Sequence, residues 1–343
     1  MGEKVTSFDV AQRAGVSRSA VSRVFTPGAS VSKATAEKVR AAALDLGYRP
    51  NVLARGLITG RSRIIGLVVA YLENQFYPEA IEHLSRLLQA QGYHVLVFMA
   101  ANSVNEADEV LDELLDYQVD GIIAASVGMS NDLTRRCEAA GIPIVLFNRT
   151  QDDERLSAVT SDNYAGGKKL AEFLAAGGHS RIAHIAGWEG ASTQRDREAG
   201  FVAGLAAAGL SIHARGVSQF NFDIAKDIAR EMFDRPDHPD AVFCANDHMA
   251  FAVMDVLRFE LGLRVPGDVS VVGYDDVGLA AWPSYDLTTV RQPAARMACE
   301  AVDMILGRLS DPEIKPRRVA LDGPLVLRGS ARIPKTWPQG RTT

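Results

Sequence analysis

A short polar segment near the start of the chain, residues 17–20, carries side chains that suit contact with nucleic acid. Ser17 follows a glycine turn and can cap a helix, so Arg18, Ser19 and Ala20 would project from its first turn. An arginine placed there can bind guanine O6 and N7, while hydroxyl groups and the helix N-terminus hold phosphates. The segment predicts a surface that reads the major groove of DNA. The alternative is a small helical bundle with no role in nucleic-acid binding.

A second set of polar and aromatic side chains follows short apolar runs later in the chain. Ligands of open α/β sheets bind where strands end, and amide, carboxylate and guanidinium groups suit the hydroxyl groups of a sugar. An aromatic ring suits the apolar face of a sugar. The candidates for binding a small ligand are Phe76, Asn148, Arg197, Phe222, Asn246 and Asp275.

Each of these candidates also has a structural alternative. Asn246 and Asp247 could cap the following helix, with Asp247 favoured for that role, and Arg197 could be a structural ion-pair partner. Asp275 and the aspartate after it could form a turn. Arg149 could match an acidic sugar, although a solvated surface arginine is favoured. Trp282 could equally be an aromatic residue at the rim of the ligand site or a packing residue.

Three helical patterns position the first group of residues. Thr6, Ser17 and Ser32 each precede an apolar stripe and can act as N-caps, and Gly15 and Gly47 can end the first and third helices. Residues 6–24 therefore predict a helix-turn-helix, followed by a third helix that runs to residue 46. A further short turn over residues 52–58 precedes a Gly-Arg-Ser linker.

From residue 64 onward, short apolar runs alternate with amphipathic stretches. This alternation predicts parallel strands covered by helices on both faces. The region is too long for one sheet, so two α/β lobes are expected, with the polar stretch 150–156 as their boundary. The polar tail 334–343 is expected to be disordered.

The charge distribution separates the start of the chain from the remainder. Residues 1–63 contain 11 Lys and Arg against 4 Asp and Glu, whereas the remaining chain carries 26 against 38. A basic head on an acidic body indicates that only the head meets a polyanion. Hydrophobic residues make up 47% of the chain, and neither a membrane span nor a secretory signal is apparent.

The three cysteines, Cys137, Cys244 and Cys299, are far apart and lie in apolar sequence. They are interpreted as buried small hydrophobic residues in a reducing compartment. Their spacing suggests no metal site, and the sequence predicts neither a metal nor a cofactor.

Several motifs together resemble the lactose-repressor (LacI/GalR) family of bacterial transcription regulators. The first 57 residues contain VTSFDVAQRAGVSRSAVSRVF and VSKATAEKVRAAALDLGYRPNVLARGL. Later motifs are SDNYAGG, RDREAGF, ANDHMAFAVM, VPGDVSVVGYDD and LTTVRQP, so the resemblance extends over nearly the whole chain. It implies an all-α helix-turn-helix head, a hinge helix, and a two-lobed parallel-sheet α/β sensor that resembles periplasmic sugar-binding proteins.

The resemblance also implies how the chain is divided, with three crossings between the sensor lobes. The expected head is 1–50, the hinge and linker 51–63, and the sensor 64–343. Lobe one covers about 64–161 and 291–319, and lobe two covers about 162–290 and 320–330, followed by the tail 331–343.

The family's hinge helices pair in the minor groove of DNA, and the residue here that matches the wedging leucine is Leu57. Gly56 departs from the expected pattern, because glycine lowers helix stability by about 1 kcal/mol. The expected ligand contacts that the resemblance supports directly are Arg197, Asn246 and Asp275. The expected DNA contacts are Thr6, Ser7, Ser17, Arg18, Ser19, Ala20, Ser22, Arg23, Thr26, Ser32, Thr35, Asn51, Ala54, Arg55 and Leu57.

These features predict a bacterial, cytoplasmic, nucleoid-associated homodimer that binds an approximately palindromic DNA operator. A sugar or sugar acid in the sensor would control repression of catabolic genes. An enzyme, a transport binding protein and a purely structural DNA-binding protein are the alternatives. The absence of a GxGxxG, P-loop or GxSxG motif disfavours the first of these. The direction of the ligand's effect on DNA binding stays open.

Overall fold

The computed structural model describes residues 5–26, 28–49, 62–100, 104–128, 130–335 and 337. It divides into two compact units, Met1–Ser62 and Arg63–Thr343. The expected hinge residues Asn51, Ala54, Arg55, Gly56 and Leu57 lie outside the described residues.

The first unit is a bundle of helices held by a small apolar core. Val10, Val21 and Val39 are each at most 1% exposed, and every helix contributes one of them. Local capping sets the helix starts, as the sequence predicts: Ser17 accepts a hydrogen bond from the Ala20 amide and Ser32 one from the Thr35 amide. The helices are α1 (Ser7–Ala14), α2 (Arg18–Val24) and α3 (Lys33–Asp45).

The second unit begins with a parallel α/β lobe. Its strands run in the order β11-β5-β4-β3-β1-β2, with every pair parallel. All residues of the first strand are buried because helices cover both faces of the sheet, which explains its continuous apolar sequence. The elements are β1 (Ile64–Val69), α4 (Phe76–Ala90), β2 (His94–Met99), α5 (Val104–Asp116), β3 (Gly121–Ala125), α6 (Asn131–Ala139), β4 (Ile144–Phe147) and β5 (Ser157–Ser161).

A second sheet follows with the order β12-β10-β9-β8-β6-β7. It is parallel except for β12, which pairs antiparallel with β10. Its elements are α7 (Asn163–Ala176), β6 (Ile182–Ala186), α8 (Ser192–Ala207), β7 (Ala214–Val217), α9 (Phe222–Phe233), β8 (Ala241–Cys244), α10 (Asp247–Asp255), β9 (Ser270–Asp275) and β10 (Thr288–Arg291). The chain then continues through α11 (Ala294–Ser310), β11 (Arg318–Leu321) and β12 (Leu325–Val326).

The chain passes between the two sheets after β5, after β10 and after β11. The lobe boundary that the polar stretch 150–156 suggests is wrong, because this stretch joins β4 to β5 within one sheet. Strand β5 has the sequence Ser-Ala-Val-Thr-Ser, which lacks the apolar run of a buried strand. Its polar residues are nevertheless buried, because distant parts of the chain cover them. Ser157, for example, accepts a hydrogen bond from the Arg317 amide at 3.3 Å.

Helices α7 and α8 cross closely enough that only glycine fits at the crossing. A Cβ atom on Gly167 would lie 2.0 Å from the Arg197 carbonyl oxygen, and one on Gly200 would lie 1.9 Å from that of Tyr164. Helix α8 begins at Ser192, so Arg197 lies in its second turn. The crossing brings Arg197 beside the start of α7.

Two other sequence interpretations need correction. Cys137 and Cys244 are buried, but Cys299 is exposed because it lies on the solvent side of α11. The tail is not wholly unstructured, since the Trp337 ring packs edge-on against Phe173 with centroids 5.3 Å apart. Among the described residues, no helix is long and apolar enough to cross a bilayer, and no cluster of His, Cys, Asp and Glu could hold a metal ion.

Candidate functional site

The expected DNA-reading surface is the outward face of α2. Val21 is 1% exposed and anchors the helix in the bundle, whereas Arg18, Ser19, Ser22 and Arg23 are exposed. Within the described residues, the Arg18 guanidinium makes no ion pair or hydrogen bond, so its full donor set faces solvent. The Arg23 Nε atom donates to the Ser19 carbonyl at 3.4 Å. An unpaired arginine at the first turn is free to bind a base edge or a phosphate.

Two of the expected DNA contacts, Thr6 and Thr26, use their hydroxyl groups in hydrogen bonds at helix ends. The Thr6 hydroxyl and amide both donate to Asp9, at 2.7 and 2.8 Å, which lowers the pKa of that carboxyl. The Thr26 hydroxyl donates to the Ser22 carbonyl at 2.8 Å. Because a hydroxyl has one proton, Thr6 and Thr26 cannot also donate to a phosphate in this conformation. The remaining expected contacts on the helices are Ser7, Ser17, Ala20, Ser32 and Thr35, of which Ser7, Ala20 and Thr35 are half-buried.

Asp275, at the end of β9, binds donors from both lobes of the sensor. Its carboxylate accepts from the Asn74 amide at 2.7 Å, and Asn74 lies in the connection after β1 in the first lobe. Gln292 donates to the other oxygen at 2.7 Å. Burial raises the pKa of Asp275, whereas Arg197 and the two amides lower it. Asp275 therefore links the two lobes at the carboxyl ends of their strands.

Arg197 is held beside Asp275 by several partners. Its Nε donates to Asn163 at 2.8 Å and its Nη1 to the Ala245 carbonyl at 2.6 Å. The guanidinium carbon lies 3.7 Å from the centroid of the Tyr274 ring, and Nη2 lies 3.6 Å from the Asp275 carboxylate. Arg197 is thus a structural ion-pair partner, and this rigid setting also fixes it at the end of β9.

In the first lobe, Asn148 follows β4 in a left-handed backbone conformation, with φ of 70°. Its amide nitrogen donates to the Tyr77 and Ser126 hydroxyls at 3.1 and 3.3 Å. Its carbonyl oxygen is buried and has no hydrogen-bond partner among the described residues. A buried acceptor without a donor costs stability unless a ligand or water satisfies it.

Arg149 is not the solvated surface arginine that the sequence favours. Its side chain is 6% exposed, and its guanidinium lies 5.3 Å from the Trp188 ring and 6.0 Å from the Phe220 ring. These rings belong to the second lobe. Arg149 therefore packs across the lobes, and its burial follows from long-range contacts that a local sequence pattern does not record.

In the second lobe, Asn246 is the N-cap of α10. Its side-chain oxygen accepts from the Met249 amide at 2.9 Å, while its side-chain nitrogen is buried without a partner in the described part of the chain. Of the two residues that the sequence offers as alternative caps, Asn246 caps the helix and Asp247 does not. Asp247 instead accepts from the Thr289 hydroxyl at 2.6 Å and the Val277 amide at 3.0 Å. Burial, with the neighbouring Asp275 charge, raises the pKa of Asp247 to about 8.

The aromatic candidates differ in their surroundings. Phe76 is 2% exposed and stacks on Phe147 with centroids 6.2 Å apart, so its ring belongs to the core of the first lobe. Phe222 is half-buried, 5.2 Å from the His248 ring. Trp282 is 58% exposed, which argues against the packing alternative.

Sequence reasoning missed Asn74, Tyr71, Trp188 and Phe220. The Tyr71 and Phe220 rings, from different lobes, are stacked with centroids 6.5 Å apart. Asn74 and Tyr71 follow the apolar run of β1, so the strand-end rule that selected Phe76 could have found them. Phe220 has a φ of 61°, a left-handed backbone conformation that no local sequence pattern predicts.

Comparisons of the chain with family models, with full-length proteins and with solved structures all point to the same family. A model described as "Bacterial regulatory proteins, lacI family" matches residues 8–51, and one described as "Periplasmic binding protein-like domain" matches 171–331. The ribose operon repressor of Escherichia coli K12 is 32% identical over 331 residues, covering 95% of this chain and 99% of that protein. The transcriptional regulator CelR of Thermobifida fusca is 34% identical over 330 residues, covering 94% and 96%.

The chain belongs to the lacI family of bacterial regulatory proteins. A solved structure of the lac repressor dimer, bound to operator and the anti-inducer ONPF, superposes with a TM-score of 0.85 at 29% identity, covering 96% of this chain and 99% of that one. The predicted fold class is therefore confirmed. This lacI-family member is a DNA-binding transcription regulator with a ligand-binding sensor, and the enzyme alternative is set aside.

Proposed function

We propose that this regulator represses genes of carbohydrate or sugar-acid catabolism, and that the sugar or sugar acid binds between the sensor lobes. The observation that carries the proposal is a complementary pair of buried polar atoms. Asn148 offers an acceptor oxygen and Asn246 a donor nitrogen, each without a partner among the described residues. A sugar hydroxyl both donates and accepts, so one class of ligand satisfies both atoms.

The remaining proposed ligand contacts are Asp275, Arg197 and the half-buried ring of Phe222. Phe76 contributes by supporting the wall of the first lobe rather than by offering an open ring face. Among similar solved structures, one is a CelR–cellobiose complex at 32% identity and another is an Enterococcus faecium family member with bound ribose at 25% identity. These ligands belong to those proteins, and they support polyhydroxylated compounds as the class to test.

A thermal-shift screen tests the ligand class. We expect one member of a panel of pentoses, hexoses, cellobiose and sugar acids to raise the melting temperature. A ligand at 100 times its Kd stabilises the folded state by about 2.7 kcal/mol. Asn246→Ser keeps an N-cap oxygen but removes the free nitrogen, so this variant should fold normally and lose the shift. A panel without any hit, a hit confined to purine bases, or an unchanged shift in Asn246→Ser would contradict the proposal.

We also propose how the ligand controls DNA. Arg18 and its neighbours on α2 contact one half-site of an approximate palindrome, and the hinge leucine Leu57 wedges into the minor groove. Closure of the lobes around the ligand changes the distance between the two hinges of the dimer. Because the two hinge helices can pair at only one spacing, a small movement of the lobes abolishes their pairing. In this scheme the head is residues 1–50, the hinge and linker 51–63 and the sensor 64–343, and the protein acts in the bacterial cytoplasm in association with the nucleoid.

Hinge pairing needs a homodimer, and the exposed apolar residues indicate where it forms. The apolar face of α4 is not available for this interface, because Leu84 and Leu88 are buried inside the first lobe. The edge strand β2 instead exposes Val97 and Met99, at 46% and 49%. A paired edge strand would remove both side chains and the free strand edge from water.

Met99→Asp should therefore weaken the dimer. A buried unpaired carboxylate at the interface is unfavourable, and we expect at least a tenfold rise in the dimer dissociation constant. Sedimentation velocity over a concentration series measures this constant, and Ile314→Asp, at a residue 42% exposed elsewhere in the same lobe, is the control. A wild-type monomer at micromolar concentration would exclude the dimer, and equal behaviour of the two variants would exclude β2 as its interface.

A further inference from the structure

A separate cavity of about 220 Å³ lies in the first lobe, outside the ligand site described above. It is formed where α6 ends, where β4 and β5 begin and where α11 ends. Its wall combines apolar side chains with guanidinium groups. The lining residues are Thr134, Glu138, Gly141, Ile142, Pro143, Ile144, Arg155, Leu156, Arg308 and Pro312.

Arg308 is the unusual member of this wall. It is half-buried in the last turn of α11, and its Nε atom is fully removed from solvent. Among the described residues, Arg308 makes no hydrogen bond and no ion pair. A guanidinium in a partly buried, half-apolar site normally has an anionic partner, because desolvation of an unpaired charge is unfavourable.

The other charged groups of the wall, Arg155 and Glu138, already have partners. Arg155 binds Asp153 through two nitrogens, at 2.8 and 2.5 Å, and approaches Glu138 at 3.4 Å. The Glu138 carboxylate thus faces Arg155. Arg308 remains as the group to which an incoming anion would bind.

We propose that this cavity is a second binding site, for a small apolar monocarboxylate. The carboxylate pairs with Arg308, and the apolar part packs against Ile142, Ile144 and Leu156. An apolar cavity of about 150 Å³ holds a benzene ring, so the volume here suits roughly eight or nine non-hydrogen atoms. Phosphate and acetate carry the charge but leave the apolar wall unfilled.

The position of the cavity separates it from the ligand site between the lobes. Ile144 begins β4, and Leu156 directly precedes β5, so the cavity lies at the amino ends of these strands. Asn148 follows the carboxyl end of β4, at the opposite edge of the sheet. The two sites can therefore be tested independently, and this inference does not depend on the identity of the sugar.

Isothermal titration of the full-length protein with benzoate, at constant ionic strength, tests the proposal. We expect benzoate to bind saturably. Benzyl alcohol lacks the carboxylate and acetate lacks the ring, so each should bind at least about tenfold more weakly than benzoate. Arg308→Met keeps an unbranched apolar stem but removes the guanidinium charge, and should weaken benzoate binding by about 10- to 100-fold. Arg296→Met, an exposed arginine on the same helix, should bind as the wild type does.

Two further variants distinguish binding in this cavity from binding elsewhere on the protein. Ile142→Phe narrows the cavity and should reduce benzoate binding while Arg308 is kept. Asp275→Asn, in the interlobe site, should leave benzoate binding unchanged. Absence of binding at 10 mM benzoate, on the order of the weakest useful affinity, would overturn the proposal. It would also be overturned if Arg308→Met or Ile142→Phe bound as tightly as the wild type, or if Asp275→Asn alone lost binding.

Discussion

Asp275→Asn should abolish the response of operator binding to the sensor ligand, while ligand-free operator binding stays close to wild type. Asp275 accepts hydrogen bonds from Asn74 in one lobe and Gln292 beside the other, and it faces Arg197. An amide of the same size offers one acceptor oxygen and no charge, so one donor loses its partner and the Arg197 guanidinium loses the negative charge that it faces. A ligand hydroxyl that donates to the Asp275 carboxylate makes a hydrogen bond to a charged group, and its loss costs about 1.5–3 kcal/mol in ligand binding, or roughly 10- to 150-fold.

The measurement is ligand affinity by calorimetry together with operator affinity by fluorescence anisotropy. Asp303→Asn, at an exposed aspartate of α11, is the control for the loss of one negative charge. If Asp275→Asn responds at the wild-type ligand concentration, Asp275 is not part of the ligand site. If it fails to bind operator at all, the loss reflects folding, which the melting temperature would show.

Arg18→Ala should weaken binding to the cognate operator by about 1–3 kcal/mol, roughly 5- to 150-fold, and relax specificity at one base pair in each half-site. The physical reason is that the exposed Arg18 guanidinium keeps all its donors free for the N7 and O6 atoms of guanine. The loss should vanish on operators that already carry the wrong base at that position.

The experiment compares the wild type and the variant on a set of single-base operator variants at several salt concentrations. Arg40→Ala, at an exposed arginine of α3, removes the same charge from the same unit without touching α2. An equal loss on every operator, with a shallower dependence on salt, would show that Arg18 contacts phosphate rather than a base.

The sequence predicts those features that depend on neighbouring residues. The starts of α1, α2 and α3 follow from the caps Thr6, Ser17 and Ser32, each of which acts within three residues of itself. The apolar strands are equally visible, because a parallel strand covered on both faces must be apolar throughout. Strand β5 escapes such a prediction because its serines and threonine are buried by distant parts of the chain.

The ligand site is predicted only in part because its geometry depends on residues far apart in the chain. Asn74 and Asp275 are 201 positions apart, and Arg149 is buried by rings of the other lobe. The strand-end rule finds Asn148, Asn246 and Asp275, but it cannot show which of their polar atoms are already satisfied. The proposed ligand class rests on the Asn148 oxygen and the Asn246 nitrogen, which lack hydrogen-bond partners among the described residues, and not on the residue types alone.

We propose that a ligand held between the lobes sets operator affinity. The most direct test of this proposal is an anisotropy titration of the full-length protein on an operator obtained by in vitro selection, with and without the compound that gives the thermal shift. We expect the compound to change the operator Kd of the wild type by about 5- to 150-fold, the usual range of allosteric coupling, and to leave the operator Kd of Asn246→Ser unchanged. A compound that stabilises the sensor and leaves the wild-type operator Kd unchanged would contradict the proposal.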